Sequence, residues 1–384
     1  MKKILALVLA LAMVLGLAAC GSSGSGSGSG SQSGSQTSNS DFKVGAIYIN
    51  KKSDTAGYTY AHHTGITKAM KELGMDPETQ LVIVDQVPED DTQVGAAVDT
   101  LVGEGCSIIF GISFGYLNEM EVKAQEYPDV IFSHATGFKS NDTNFNNYFG
   151  RIYQARYLAG IAAGLKSLET GNNNIGYVSA YDTEYAETCS GINGFTLGAQ
   201  SVNPDIEVRV VWTNAWYDPG KEADAAKTLI GQGCDIISHH TNSQAVAAAG
   251  EDAKVPVISY HAEMHKAAPT MLIGAVTHHW DEYYAKRIQA VLDGTWKTAP
   301  MWGGAELHMV RLSGITPKAP KAVVDDINAT YAKMEKQAFN VFTGPIVDNT
   351  GKTVIPAGSA ADDKHLLTMN YFVKGVLGKV PSNQ

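Results

Sequence analysis

Cysteine is scarce in this chain of 384 residues, with four in all at positions 20, 106, 189 and 234. Their spacing fits neither a disulfide framework nor a zinc ribbon. Basic charge is scarce as well: 29 Lys and Arg stand against 39 Asp and Glu, a formal net charge of −10. That balance argues against a nucleic-acid partner held through its phosphates. No segment after Cys20 approaches the roughly eighteen uninterrupted apolar residues of a membrane-spanning helix. Catalytic signatures are missing too. There is no Gly-x4-Gly-Lys-Ser/Thr phosphate loop and no Cys/His arrangement with a supporting motif, so the chain does not read as an enzyme.

What is present is the composition of an ordinary folded protein, 44% hydrophobic and 18% charged, long enough for two domains. Residues 1–19 carry Lys2, Lys3 and the apolar run Ile4 to Leu17, too short for a comfortable membrane span, and Leu17-Ala-Ala-Cys20 follows. This order resembles a bacterial lipoprotein signal. The resemblance implies cleavage before Cys20, lipidation of its thiol and an extracytoplasmic protein anchored to the outer face of the cell membrane. Residues 20–40 are mostly Gly and Ser, a flexible tether that cannot bury enough apolar surface to fold. Cys106, Cys189 and Cys234 are expected to be buried thiols.

From Phe42 onward, apolar runs at 42–49, 81–84, 107–112, 130–133, 175–179, 206–212, 235–238, 255–260 and 272–276 alternate with helical patterns. The helical patterns include 60–73, 92–103, 152–166, 220–231 and 243–250. Alternation of this kind predicts α/β architecture with parallel sheets. Thr100-Leu-Val-Gly-Glu-Gly-Cys-Ser-Ile-Ile109 matches Thr228-Leu-Ile-Gly-Gln-Gly-Cys-Asp-Ile-Ile237, and Asp54-Thr55 matches Asp182-Thr183, both at an offset of 128. Two similar halves follow. Residues 41–150 are expected to form one lobe, completed by part of 277–340, and 151–276 the other, completed by C-terminal segments up to 384.

Ligands of parallel sheets sit beyond the carboxyl ends of strands. The segments expected there are unusually aromatic and polar: 51–63, 113–118, 212–218, 239–242, 260–261 and 277–280. Together with the leader, the segments Gly57-Tyr-Thr-Tyr-Ala-His-His-Thr-Gly65, Ser113-Phe-Gly-Tyr116, Tyr148-Phe-Gly-Arg-Ile-Tyr-Gln-Ala-Arg-Tyr-Leu-Ala-Gly160, Trp216-Tyr-Asp-Pro-Gly-Lys-Glu222 and Phe342-Thr-Gly-Pro-Ile346 resemble the basic membrane protein family of transporter lipoproteins. The resemblance implies a type I periplasmic-binding-protein fold with two Rossmann-like lobes and a hinge. It also implies a purine-type ligand delivered to the permease of an ABC importer.

A purine needs two flat apolar faces and a few directed hydrogen bonds at its edge. Tyr58 and Trp216, one from each half, are the expected sandwich pair. Phe114 is a further aromatic candidate, with closure of a hydrophobic floor as the plainer alternative. Ser113, Asn118 and Asn242 are expected at the purine edge because their groups donate and accept without burying charge. Asn118 stands where the family often has Asp, and helix capping is the alternative for both asparagines. Asp218, followed by Pro219, reads as an ordinary N-cap.

Eleven histidines, with pairs at 62–63, 239–240 and 278–279, raise a metal-binding alternative, although no helix-borne i, i+4 His pair or acidic calcium loop accompanies them. A sugar receptor of the same fold is a second alternative. His261 and His278 fall where nucleoside receptors of the family commonly place an acidic residue and a lysine near the ribose, and Tyr260 and Trp280 flank them. A free base is therefore expected to bind more tightly than its nucleoside, with His261 hydrogen-bonding the base or a bridging water. Should those histidines lie at the surface, Glu263 or Asp281 would be the ribose partner. No cofactor or resident metal is expected, and the protein is expected to be monomeric.

Overall fold

The structure is a computed structural model that describes residues 41–378; the leader, Cys20 and the 20–40 tether lie outside them. The chain begins β1 (Lys43–Tyr48), α1 (Gly57–Glu72), α2 (Pro77–Gln80), β2 (Leu81–Val84), α3 (Asp91–Gly103), β3 (Cys106–Ile112), α4 (Leu117–Glu126), β4 (Ile131–Ala135) and β5 (Phe145–Gly150). It continues α5 (Ile152–Thr170), β6 (Asn174–Ser179), α6 (Ala186–Val202), β7 (Glu207–Trp212), α7 (Pro219–Gly231), β8 (Ile236–His240), α8 (Ala245–Ala253), β9 (Val257–Tyr260) and β10 (Leu272–His278). After α9 (Trp280–Leu292) come β11 (Met301–Gly303), β12 (Val310–Ser313) and a helix over Lys321–Glu335.

The strands form two main sheets. The first has the order β11-β5-β4-β3-β1-β2, and the second β12-β10-β9-β8-β6-β7 with a short strand Val376–Leu377 beyond β7. Pairing in the first sheet is parallel throughout; in the second only β12 is antiparallel, against β10. The repeated decapeptide accounts for the shared order, because it forms the end of α3 with β3 in one half and the end of α7 with β8 in the other. Cys106 and Cys234 occupy equivalent places, and both are buried free thiols, as is Cys189 in α6. Burial pushes all three thiols up, Cys106 and Cys189 to about 12 and Cys234 to about 11.

The chain passes between the sheets after β5, after β10 and between β11 and β12. The second passage carries α9 back onto α1. A Cβ on Gly65 would meet the Trp280 Cβ at 2.7 Å, so only glycine permits this approach of the two helices. Helices α5 and α6 pack just as closely: a Cβ on Gly160 would lie 2.0 Å from the Phe195 carbonyl oxygen. Local signals set helix starts in the expected way. The Asp218 carboxylate accepts from the Lys221 N–H at 3.0 Å, with Pro219 at the first helical position of α7. Among the described residues no helix is long and apolar enough to cross a membrane.

Candidate functional site

The carboxyl ends of β4, β7 and β9 share a backbone feature. Thr136, Asn214 and His261 follow them with φ of 65°, 51° and 65°, a left-handed conformation that costs a non-glycine residue energy and recurs at binding sites. His261 is held there by its N–H donating to the Val276 carbonyl at 2.9 Å. From this position its ring stacks on Tyr260, with centroids 3.6 Å apart, and lies 5.8 Å from the Tyr58 ring and 6.0 Å from His278.

These contacts belong to one continuous chain of rings. Tyr58, in the first turn of α1, packs edge-on against His62 one turn later, at 4.4 Å. His62 stacks on Trp280 at 4.4 Å, and Trp280 stacks on His278 at 4.4 Å. On the other side Tyr260 meets His240 at 4.7 Å, His240 meets Trp216 at 6.0 Å, and Trp216 is flanked by Tyr181 at 5.2 Å and Tyr185 at 5.4 Å. Tyr58 and Trp216 are thus joined through His261, Tyr260 and His240.

The polar atoms of this chain are conspicuously unpaired. Among buried side chains, His62 Nε2, His261 Nδ1, both ring nitrogens of His278, His240 Nδ1, the Trp280 Nε1 and two nitrogens of Arg156 have no hydrogen-bond partner. Each such group costs about 1–3 kcal/mol when nothing satisfies it, so a concentration of them marks a place built for something to bind. Burial holds the imidazoles neutral. His62, His261 and His278 are pushed well below the usual range, His240 to about 4 and His239 to about 3, with Arg156 acting in the same direction on His239, His240, His261 and His278. Among the described residues no three His, Cys, Asp or Glu side chains come together as a metal site.

The remaining expected residues fall at several distances from this chain. Ser113 is buried, but its hydroxyl donates to Glu89 Oε1 at 2.5 Å, and the same oxygen accepts the Gly115 N–H at 2.7 Å. Phe114 is 51% exposed, so it closes no hydrophobic floor. Asn118 is exposed in the first turn of α4 and accepts from Lys139 Nζ at 2.8 Å. Asn242 is half-buried, its N–H donating to the Trp216 carbonyl at 2.9 Å. Trp280 is fully buried with two imidazoles against its indole, which makes it a platform for His62 and His278. His261 and His278 are buried, whereas Glu263 pairs with His265 and Asp281 with Lys68.

Sequence reading did not single out Arg156, Glu187 or Glu89, and it took up His62 and His240 only as members of the histidine pairs behind the metal-binding alternative. Arg156 carried a signal, the single charge inside the helical stretch 152–164. Glu187, whose Oε1 lies 3.5 Å from both His240 Nε2 and the Tyr260 hydroxyl, carried none.

Two halves with the same strand order, bridged three times by the chain, define the type I periplasmic-binding-protein fold of solute-binding proteins. The profile described as "ABC transporter substrate-binding protein PnrA-like" (Bmp) matches residues 42–349, and the chain belongs to this family. It is a substrate-binding component of a transporter, not an enzyme; such components of ABC importers work outside the cytoplasm. The chain is 40% identical over 339 residues to a purine-binding protein of Brucella abortus, covering 88% of this chain and 94% of that protein. It is 36% identical over 275 residues to a putative ABC transporter glucose-binding protein of Haloferax volcanii, covering 72% of this chain and 66% of that one. Among solved structures, an ABC transporter solute-binding protein from Conexibacter woesei superposes with a TM-score of 0.66 at 19% identity, covering 78% of this chain and 98% of that one, a likeness of fold.

Proposed function

We propose that this protein captures a purine-type ligand between two lobes and presents it to the permease of an ABC importer, taking the free base in preference to its nucleoside. One lobe is the first sheet with its helices, and the other is the second sheet with its own. The observation that carries this reading is the chain of rings from Tyr58 to Trp216 with its unpaired imidazole nitrogens. Flat apolar faces and neutral donor-acceptor groups are what a heteroaromatic base requires, and neutral imidazoles add no charge to desolvate. The Brucella relative supports the ligand class. Tyr58 and Trp216 cover the base, and His261 bonds its edge; Ser113, Phe114, Asn118 and Asn242 border the site.

Preference for the base rests on His261 and His278. Neither offers the two acceptor oxygens with which a carboxylate holds a ribose diol, and Glu263 and Asp281 are engaged with His265 and Lys68. The protein acts as a lipid-anchored monomer tethered through Cys20. Titrating adenine against adenosine and guanine against guanosine tests the preference: the base is expected to bind more tightly in each pair, and tighter nucleoside binding in both contradicts it. A sugar ligand is the second reading, favoured by the Haloferax relative, and it predicts a response to glucose and none to purines.

A further inference from the structure

Arg156 is fully buried, yet its charge has no full set of partners. Its Nη1 donates to the His239 carbonyl at 2.7 Å, while Nε and Nη2 have no hydrogen-bond partner. Cβ atoms on a helix tilt toward its N-terminus, and Arg156 sits in the second turn of α5, so the side chain reaches toward the carboxyl ends of the second sheet. His239, the penultimate residue of β8, fixes it there. The guanidinium lies 4.1 Å from the centroid of the Tyr260 ring, the ring on which His261 stacks at 3.6 Å. A second aromatic, Tyr177, lies 5.6 Å away. The helix α6 closes against its stem, since a Cβ on Gly191 would come within 3.9 Å of the Arg156 Cγ.

A buried guanidinium is costly unless acceptors meet it. The two unpaired groups, Nε–H and Nη2–H, lie side by side on one edge of a rigid plane, a donor-only fork that fits two acceptors in that plane. In a 6-oxopurine, O6 and N7 are such a pair, the same pair an arginine reads on guanine. Adenine places an amino donor where O6 would be, so the fork would face a donor.

We infer that Arg156 is a specificity-determining residue that makes this site selective for 6-oxopurines, the hypoxanthine and guanine type, over 6-aminopurines. This rests on the purine reading above. The role differs from stacking, which is indifferent to the exocyclic group, and from any contribution of the neutral histidines, which can both donate and accept.

The test is calorimetric titration of the protein with hypoxanthine, adenine and 7-deazahypoxanthine, which keeps O6 but replaces N7 with carbon. Hypoxanthine is expected to bind at least about tenfold more tightly than adenine, and 7-deazahypoxanthine about tenfold more weakly than hypoxanthine. In Arg156→Gln, shown folded by thermal melting, the preference for hypoxanthine over adenine should vanish while stacking still supports binding. Adenine binding as tightly as hypoxanthine, or an unchanged ranking in folded Arg156→Gln, overturns the inference and leaves the purine reading standing. Should the variant not fold, the analogue series on the unmodified protein decides alone. No binding by any of the three purines overturns both readings together.

Discussion

Gly57 and Asn242 meet where the start of α1 faces the loop after β8: a Cβ on Gly57 would lie 2.5 Å from the Asn242 carbonyl oxygen. Gly57 also has a φ of 86°, and beside it Gln244 Nε2 donates to Thr55 Oγ1 at 3.1 Å. The start of α1 and the loop after β8 therefore touch through backbone at this point, next to Tyr58 on one side and the Trp216 loop on the other. Gly57→Ala places a methyl group in that contact and in an unfavourable backbone region. It should weaken ligand binding about tenfold or more without replacing any ligand-contacting side chain. Small-angle scattering with saturating ligand should show a more open molecule than the unsubstituted protein; equal affinity and equal dimensions would remove the closure contact from the account.

The two tryptophans of the ring chain should behave oppositely. Trp280 is 1% exposed, and His62 and His278 rest against it, so Trp280→Ala is expected to cost about 3–5 kcal/mol of stability. Trp216 is only half-buried, and its replacement by Ala should leave the melting temperature nearly unchanged while weakening binding by about 1–3 kcal/mol. Chemical denaturation and calorimetry on both variants separate the two roles. A large stability loss for Trp216→Ala, or none for Trp280→Ala, would reverse the assignment.

The neutral imidazoles give a pH dependence with a definite sign. In the unfolded chain histidine takes up a proton near pH 6.5, whereas in the fold His240 does so at about 4 and His239 at about 3. Between those values the unfolded state binds more protons, so stability is full above about pH 6.5 and declines as the pH falls toward the folded values. The melting temperature should drop steadily from about pH 7 to about pH 5, above the range in which ordinary carboxylates protonate. A flat profile across that window would mean that the imidazoles are not held neutral.

Anchoring has its own test. Cys20→Ala should leave soluble protein that still binds ligand, because the ring chain is built from residues between Tyr58 and Trp280. Recovery of that variant in the membrane fraction without detergent would contradict lipidation at Cys20.

Much of the fold was legible because burial imposes periodicity. The run 81–84 is β2 as read, and the expected helices at 92–103 and 220–231 differ from α3 and α7 by one residue at the start. β5 was not among the expected strands. Its sequence Phe-Asn-Asn-Tyr-Phe-Gly has poor strand propensity, but Asn146 and Asn147 are buried with their Nδ2 groups held outside the strand, Asn146 donating to the Tyr283 hydroxyl at 3.0 Å and Asn147 to the Gly137 carbonyl. Tertiary partners outweighed local preference there. In the site, strand-end loops pointed to Tyr58, Trp216, His261 and Trp280. Arg156 was hidden because it sits inside a helix, where only the fold shows which side chains reach the strand ends, and His62 was legible only as half of a possible metal-binding pair.

The central claim is that a purine-type ligand, and not a sugar, occupies the ring-lined site. Its most direct measurement is paired titration of the mature protein with hypoxanthine and with glucose, following both heat and tryptophan fluorescence. Saturable hypoxanthine binding with quenching that shrinks in Trp216→Ala, and no response to glucose, is the predicted result. Saturable glucose binding with no heat and no quenching from hypoxanthine would contradict it.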